Sequence, residues 1–218
     1  EQHGKFRRQR QMCIRDSVQV RSWLAWAGTP ALLKPVDMLG LPGRSFRVDD
    51  IDEVAALVDE LLQEGPALLE RLVLEAREVE VPVLAGGDGR VVALADRETT
   101  VRSGLDRLLV EAPVSGLADE NREVLASSAI ALAEALGWQG VGAVRFLLTD
   151  DGRPWFLGLR PGLTSWHAAT EVALQMDLVE TELHLASGGS LSLESPVLVA
   201  RQHAVAVRLA AAEPGVLH

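Results

Sequence analysis

Lys34 stands inside an apolar run, Ala31-Leu32-Leu33-Lys34-Pro35-Val36, where an ammonium without a partner would be strongly disfavoured. A lysine in such a place is a candidate for holding an anion. The next loop contains Gly40, Pro42 and Gly43 and ends on Arg44. Glycines leave a loop backbone free to take unusual conformations, and Pro42 removes one N–H donor. Asp150 and Asp151 are of the type that holds divalent cations, yet they precede Gly152 and read as turn formers. Cys13 is the one cysteine, which excludes an internal disulfide and a cysteine-based zinc site.

The elements that must position these groups follow from periodicity. Residues 31–36 read as a buried strand and Arg44 to Val48 as a short one. Asp49 and Asp50 are good helix caps before Ile51, Val54, Leu57, Val58, Leu61 and Leu62, which recur at helical spacing until Gly65-Pro66. Ala67–Leu72 and Glu78–Leu84 alternate. In the second, Val79, Val81 and Val83 share one face, and Glu78, Glu80 and Pro82 share the other. Gly86-Gly87-Asp88-Gly89 predicts a hairpin into 91–95, and 118–136 a long helix closed by Gly137. Val141–Leu148 and Pro154–Leu159 form a second predicted hairpin, across 149–152. Helices are expected over 168–175 and 177–186, and a final strand over 197–209. The order is that of an α+β fold with a mixed, largely antiparallel sheet and flanking helices.

The 218-residue chain is long enough for a substantial core, and its net charge of −10 argues against nucleic acid as a partner. No apolar run is long enough to span a bilayer. The charge is uneven: residues 1–17 carry Lys5, Arg7, Arg8, Arg10 and Arg15 against Glu1 and Asp16, a local +3 that leaves −13 for the rest. That opening lacks apolar periodicity and is expected to be non-native or disordered, outside the fold; a basic arm for an anionic partner is the alternative. The absence of disulfide-forming cysteines fits a cytoplasmic setting.

Several strings, in order across most of 20–214, resemble the ATP-grasp core of biotin carboxylase. Lys34 and Gly40-Leu41-Pro42-Gly43-Arg44-Ser45-Phe46-Arg47-Val48 resemble its lysine strand and glycine-rich flap. Glu70-Arg71-Leu72-Val73 resembles its adenine hinge, Glu-Lys-x-Leu, and Arg77-Glu78-Val79-Glu80-Val81-Pro82-Val83-Leu84 resembles Arg-His-Ile-Glu-Ile-Gln-Val-Leu. Asp96-Arg97-Glu98-Thr99-Thr100, Val110-Glu111-Ala112-Pro113 and Val141-Gly142-Ala143-Val144-Arg145-Phe146 continue the series. The stretch from Arg201-Gln202-His203-Ala204 to Ala210 resembles Arg-Gly-His-Ala-Ile-Glu-Cys-Arg-Ile-Asn-Ala.

The resemblance implies an ATP-grasp fold, incomplete at both ends, with a lid subdomain over 18–72 and a large subdomain over 73–218. It implies nucleotide binding by Lys34, Gly40, Gly43, Arg44, Glu70, Arg71 and Val73, and a catalytic role for Arg208. ATP, biotin on a carrier protein, and carboxyltransferase partners come with it. Magnesium does not: the family's two glutamate ligands fall on Arg145 and Gly158. Its Asn-Thr-Arg-Leu-Gln-Val-Glu-His string falls on Arg160-Pro161-Gly162-Leu163-Thr164-Ser165-Trp166-His167, so the bicarbonate arginine becomes Gly162 and the general base becomes Trp166. A Trp takes no proton from bicarbonate. Arg145, Arg160 and His167 become candidates for binding an anion without metal. The expectation is a biotin-carboxylase-like module with impaired catalysis. The alternatives are an active ATP-dependent ligase with variant ligands and a non-functional fragment.

Overall fold

The computed structural model describes residues 11–14, 16–36, 45–50, 58, 61, 63, 65–103, 106–193 and 195–209, and the chain divides into two compact units, Glu1–Leu74 and Glu75–His218. In the first unit, β1 (Gln11–Ile14), β4 (Ala67–Arg71), β2 (Ala31–Pro35) and β3 (Phe46–Val48) form an antiparallel sheet in that order. Helix α1 (Ser17–Ala27) starts where the Asp16 carboxylate accepts the Gln19 N–H at 2.7 Å and ends at Gly28, whose φ of +79° suits a residue without a Cβ. Its buried Val20, Trp23 and Leu24 recur at helical spacing and pack with Ile14, Leu33, Val48 and Leu69.

Two expectations change here. Gln11–Ile14 is not outside the fold: it pairs with β4 from end to end, and Ile14 is fully buried. The segment is too short for periodicity to show, and the pairing depends on a strand more than fifty residues away. Helix α1 was also missed. The expected helix over 51–62 lies outside the described residues except Val58 and Leu61, both of which are buried.

The second unit is built on a long antiparallel pair, β5 (Ala76–Ala85) and β11 (Gly140–Thr149). The sheet continues from β11 to β12 (Pro154–Pro161). On the other side it runs from β5 through β7 (Arg97–Glu98) and β10 (Leu109–Ala112) to β13 (Ala204–Val207), and β6 (Val91–Ala93) also pairs with β5. A small hairpin, β8 (Arg102–Ser103) with β9 (Asp106–Arg107), stands apart from this sheet. The connection between β11 and β12 is the expected turn: Asp151 accepts from the Thr149 hydroxyl at 2.6 Å, and Gly152 takes a φ of +72°. Asp150 and Asp151 therefore sit at a hairpin tip.

The two faces of the sheet differ. On one, Val79, Val81, Val83, Val144, Phe146 and Leu148 pack under α2 (Asp119–Ala135), which presents Leu125, Ala126, Ala129 and Ala133. Small alanines let that helix approach closely. On the other face, at one end, Leu84, Val92 and Val141 pack with Trp166, α3 (His167–Leu174) and α4 (Leu178–Ala186). At the other end of that face the residues are charged.

The expected final strand over 197–209 is shorter. Only Ala204–Val207 pairs along its length with β10, while Val197 makes a single parallel bridge to Ala93. Leu198 and Ala200 fold onto the apolar cluster instead, and the Arg201 and Gln202 N–H groups are held by the Ala173 carbonyl. An apolar run that is buried as a loop cannot be told from a strand by hydropathy alone.

Candidate functional site

Strand alternation builds the site. Because β5 and β11 are in register with Arg145 opposite Glu80, the residues one position out of phase with the valines all fall on one face: Glu78, Glu80 and Arg145. Strand β7 adds Arg97 opposite Glu80, and β12 adds Gly158 opposite Arg145 and Arg160 opposite Ala143. The β8–β9 hairpin contributes Arg102 and Arg107 to the same carboxylates.

The network is dense. Arg97 grips Glu80 Oε2 through Nε at 2.9 Å and Nη2 at 2.8 Å, and its Nη1 donates to the Trp166 carbonyl at 3.2 Å and the Thr170 hydroxyl at 3.3 Å. Arg107 Nη2 bridges Glu80 Oε1 and Glu78 Oε1, the latter at 2.8 Å. Arg145 reaches Glu78 Oε1 through Nη2 at 2.7 Å and stands 3.6 Å from Glu80. Arg102 pairs with Glu78 Oε2. All four carboxylate oxygens thus accept from a guanidinium.

Burial alone would raise the Glu78 carboxyl above its ordinary pKa, but Arg145, Arg102 and Arg107 together hold it below the usual carboxylate range. Glu80 is fully buried, and burial again acts upward, yet Arg97, Arg107 and Arg160 bring it down. Arg160 makes no ion pair or side-chain hydrogen bond among the described residues. Burial pushes its pKa down, Arg107 and Arg145 add to that, and Glu80 and Glu78 only partly offset them. Arg107 Nη1 is buried with no hydrogen-bond partner.

This donor set does not fit a divalent cation. The two carboxylates are saturated by arginines, and a guanidinium within hydrogen-bond reach of them would repel the metal in a half-desolvated setting. Among the described residues, no group of three His, Cys, Asp or Glu side chains is placed to hold a metal ion.

The other residues singled out from sequence are spread along the second unit. Trp166 is buried in the apolar cluster with α3 and α4, so the indole packs where the resemblance places a base. Gly162 lies just past β12 with a φ of +72°, and its N–H bonds to the Val141 carbonyl at 2.9 Å. His167 has its ring nitrogens on the Thr164 carbonyl and, at 3.6 Å, on Glu171; its neighbours are helix-capping groups rather than the arginine network. Arg208 is exposed one residue beyond β13, with its N–H on the Leu108 carbonyl at 3.0 Å.

The first unit holds a simpler pair. Lys34 and Glu70 are diagonal neighbours across β2 and β4, and Lys34 Nζ meets Glu70 Oε2 at 2.9 Å. The carboxylate supplies the partner that a lysine in an apolar strand requires. Arg71 is exposed and Val73 half-buried. Gly40, Gly43 and Arg44 lie outside the described residues.

Sequence reasoning missed Glu78, Glu80, Arg97, Arg102 and Arg107 as site residues. A signal was present: glutamates alternate with valines in a strand too apolar to be an edge, and four arginines follow within 97–122. Two charges buried at alternating positions call for partners.

Residues 9–194 match the family model of the carbamoyl-phosphate synthase L chain, ATP binding domain. The chain is 30% identical over 195 residues to the chloroplastic biotin carboxylase of Arabidopsis thaliana, covering 86% of this chain and 36% of that one. It is also 30% identical over 203 residues to the methylcrotonoyl-CoA carboxylase subunit alpha of Dictyostelium discoideum, covering 89% of this chain and 29% of that one. The chain thus spans about a third of the length of these relatives. The solved biotin carboxylase domain of Hydrogenobacter thermophilus 2-oxoglutarate carboxylase, in complex with MgADP, ADP and bicarbonate, has the same fold: the TM-score is 0.79 at 22% identity, over 88% of this chain and 44% of that chain. On the strength of the family match, the chain belongs to the family of the carbamoyl-phosphate synthase L chain ATP binding domain, as an ATP-grasp protein of the biotin carboxylase type.

Proposed function

We propose that the chain is the ATP-grasp module of a biotin-dependent acyl-CoA carboxylase in which the magnesium-dependent carboxylation of biotin is impaired, and that it serves as a scaffold or regulatory part of that assembly. The observation that carries this reading is Arg145, paired with Glu78 at 2.7 Å and facing Gly158 across the sheet. The resemblance places a metal-ligating glutamate at each of these two positions. A charge reversal at one and a missing side chain at the other remove both ligands, and the buried Trp166 and the Gly162 turn remove the base and the bicarbonate arginine as well. Each such group contributes orders of magnitude to a rate, so their joint loss is incompatible with the same reaction at a useful speed.

The ATP expected of the fold would be met by Lys34, Glu70, Arg71 and Val73 in the first unit, with Gly40, Gly43 and Arg44 of the flap. Its partners would be a biotin carrier and a carboxyltransferase, and its setting the cytoplasm. The test is ATP cleavage by the complete parent protein with free biotin or the carrier, with and without bicarbonate. No magnesium-dependent phosphate release above background is expected; bicarbonate-stimulated release would overturn the reading.

A further inference from the structure

The charged face of the second unit is not electrically balanced. Arg97, Arg102, Arg107, Arg145 and Arg160 converge on Glu78 and Glu80, five cations against two anions. Among the described residues, Arg160 has no carboxylate partner and feels Glu80 and Glu78 only at longer range, and the buried Arg107 Nη1 has no acceptor. Guanidinium groups crowded in this way repel one another, and a buried donor without an acceptor is unfavourable. Among the described residues the surplus therefore lacks its counter-charge.

The same face has room. Gly158 lies directly opposite Arg145 and two residues from Arg160 on the same side of β12, and a Cβ built on it meets nothing within 4 Å. Arg145 is about one-fifth exposed and Arg160 half-buried, so both are reachable from solvent while Arg107 is not. Planar guanidinium donors beside an open position are the recognition elements that tetrahedral oxyanions use.

We propose that this face binds a phosphate group, free or terminal on a nucleotide, without a divalent cation, through Arg145 and Arg160 at the open position beside Gly158. Arg107 supplies the buried positive charge behind them. The inference rests on the functional reading above, since the arginine that displaces the metal is the one that meets the ligand, but it adds a ligand class and a metal-free mode of binding. The network explains why Arg145 can be retained: Glu78 and Glu80 hold its guanidinium in place and leave it short of full neutralisation.

The experiment is thermal denaturation of the full 218-residue chain in EDTA, titrated with inorganic phosphate or with ATP at constant ionic strength. The expected result is a rise in Tm of several degrees with at least one of the two, saturating with concentration, as for a ligand bound only by the folded state. Phosphate alone sufficing identifies a free anion; ATP alone identifies a nucleotide tail. Arg160→Gln removes surplus charge without removing an ion pair, so it should fold normally and lose the response. Gly158→Glu places a carboxylate in the open position; it should melt higher than the parent without ligand and respond to neither anion. Arg153→Gln, at the exposed hairpin tip, should respond as the parent does. No shift in the parent chain, a shift retained in Arg160→Gln, or a shift that requires magnesium overturns the proposal. A missing shift together with absent ATP cleavage sinks the anion site alone, whereas magnesium-dependent ATP cleavage sinks the functional reading.

Discussion

The two faces of the strand pair β5–β11 are made from alternate residues of the same segments and obey different physics. Val79, Val81, Val83, Val144 and Phe146 gain by leaving water, and any well-fitting apolar neighbour satisfies them. Glu78, Glu80 and Arg145 lose hydration on burial and recover it only through particular partners at hydrogen-bond distance. The apolar face therefore preserves a fold through many substitutions, while the polar face carries whatever chemistry its few side chains specify. Here the first packs as the family's fold requires, and the second is a pair of glutamates crowded by arginines.

The largest effects should come from breaking each face once. Phe146→Ala removes a buried ring that packs edge-on against Phe156 at a centroid distance of 6.5 Å, and is expected to destabilise by about 3–5 kcal/mol. Glu80→Ala strands the buried Arg97 and Arg107 and should be of the same order, about 3–5 kcal/mol. Chemical denaturation measures both, and their similarity would show that the polar face depends on pairing as strongly as the apolar face depends on packing.

Lowering the pH separates them. Glu78 and Glu80 titrate below the usual carboxylate range when folded, so the unfolded chain takes up protons first as pH falls. Their contribution is complete above the unfolded value of about 4.3 and disappears as pH drops through the lower folded values. Urea midpoints measured down to pH 3 should therefore fall more steeply in the parent than in Glu80→Ala. Phe146→Ala should keep the parent's slope. Equal slopes in all three would break the comparison.

A smaller effect tests how tightly the apolar side is built. A Cβ at Gly142 would lie 2.7 Å from the Trp138 ring, so Gly142→Ala should destabilise by about 1–3 kcal/mol, read as a lowered Tm. No change would mean that the indole yields freely.

Much of this architecture was legible in the sequence because it is local. The hairpin at 149–152, the helix before Gly137 and the valine alternation each carry their own signal within a few residues. The final strand was overdrawn, since Leu198 and Ala200 are apolar yet buried as a loop, and Gln11–Ile14 was discarded because its only evidence is a distant partner. In the candidate site, Arg145, Gly158 and Arg160 stand out by position, and the register puts them on one face. The glutamates and arginines around them do not stand out, because Glu78 meets Arg102, Arg107 and Arg145 from three separate strands, and such convergence is a property of register rather than of spacing. His167 and Arg208 were drawn from resemblance alone, and their neighbours differ from the network that the register assembles.

We propose that arginine stands in for metal on the charged face. This is tested most directly by phosphate release from ATP in the complete parent protein with biotin and bicarbonate, assayed with magnesium and again with excess EDTA. The same background rate is expected in both. Release that magnesium supports, bicarbonate stimulates and EDTA abolishes would contradict it.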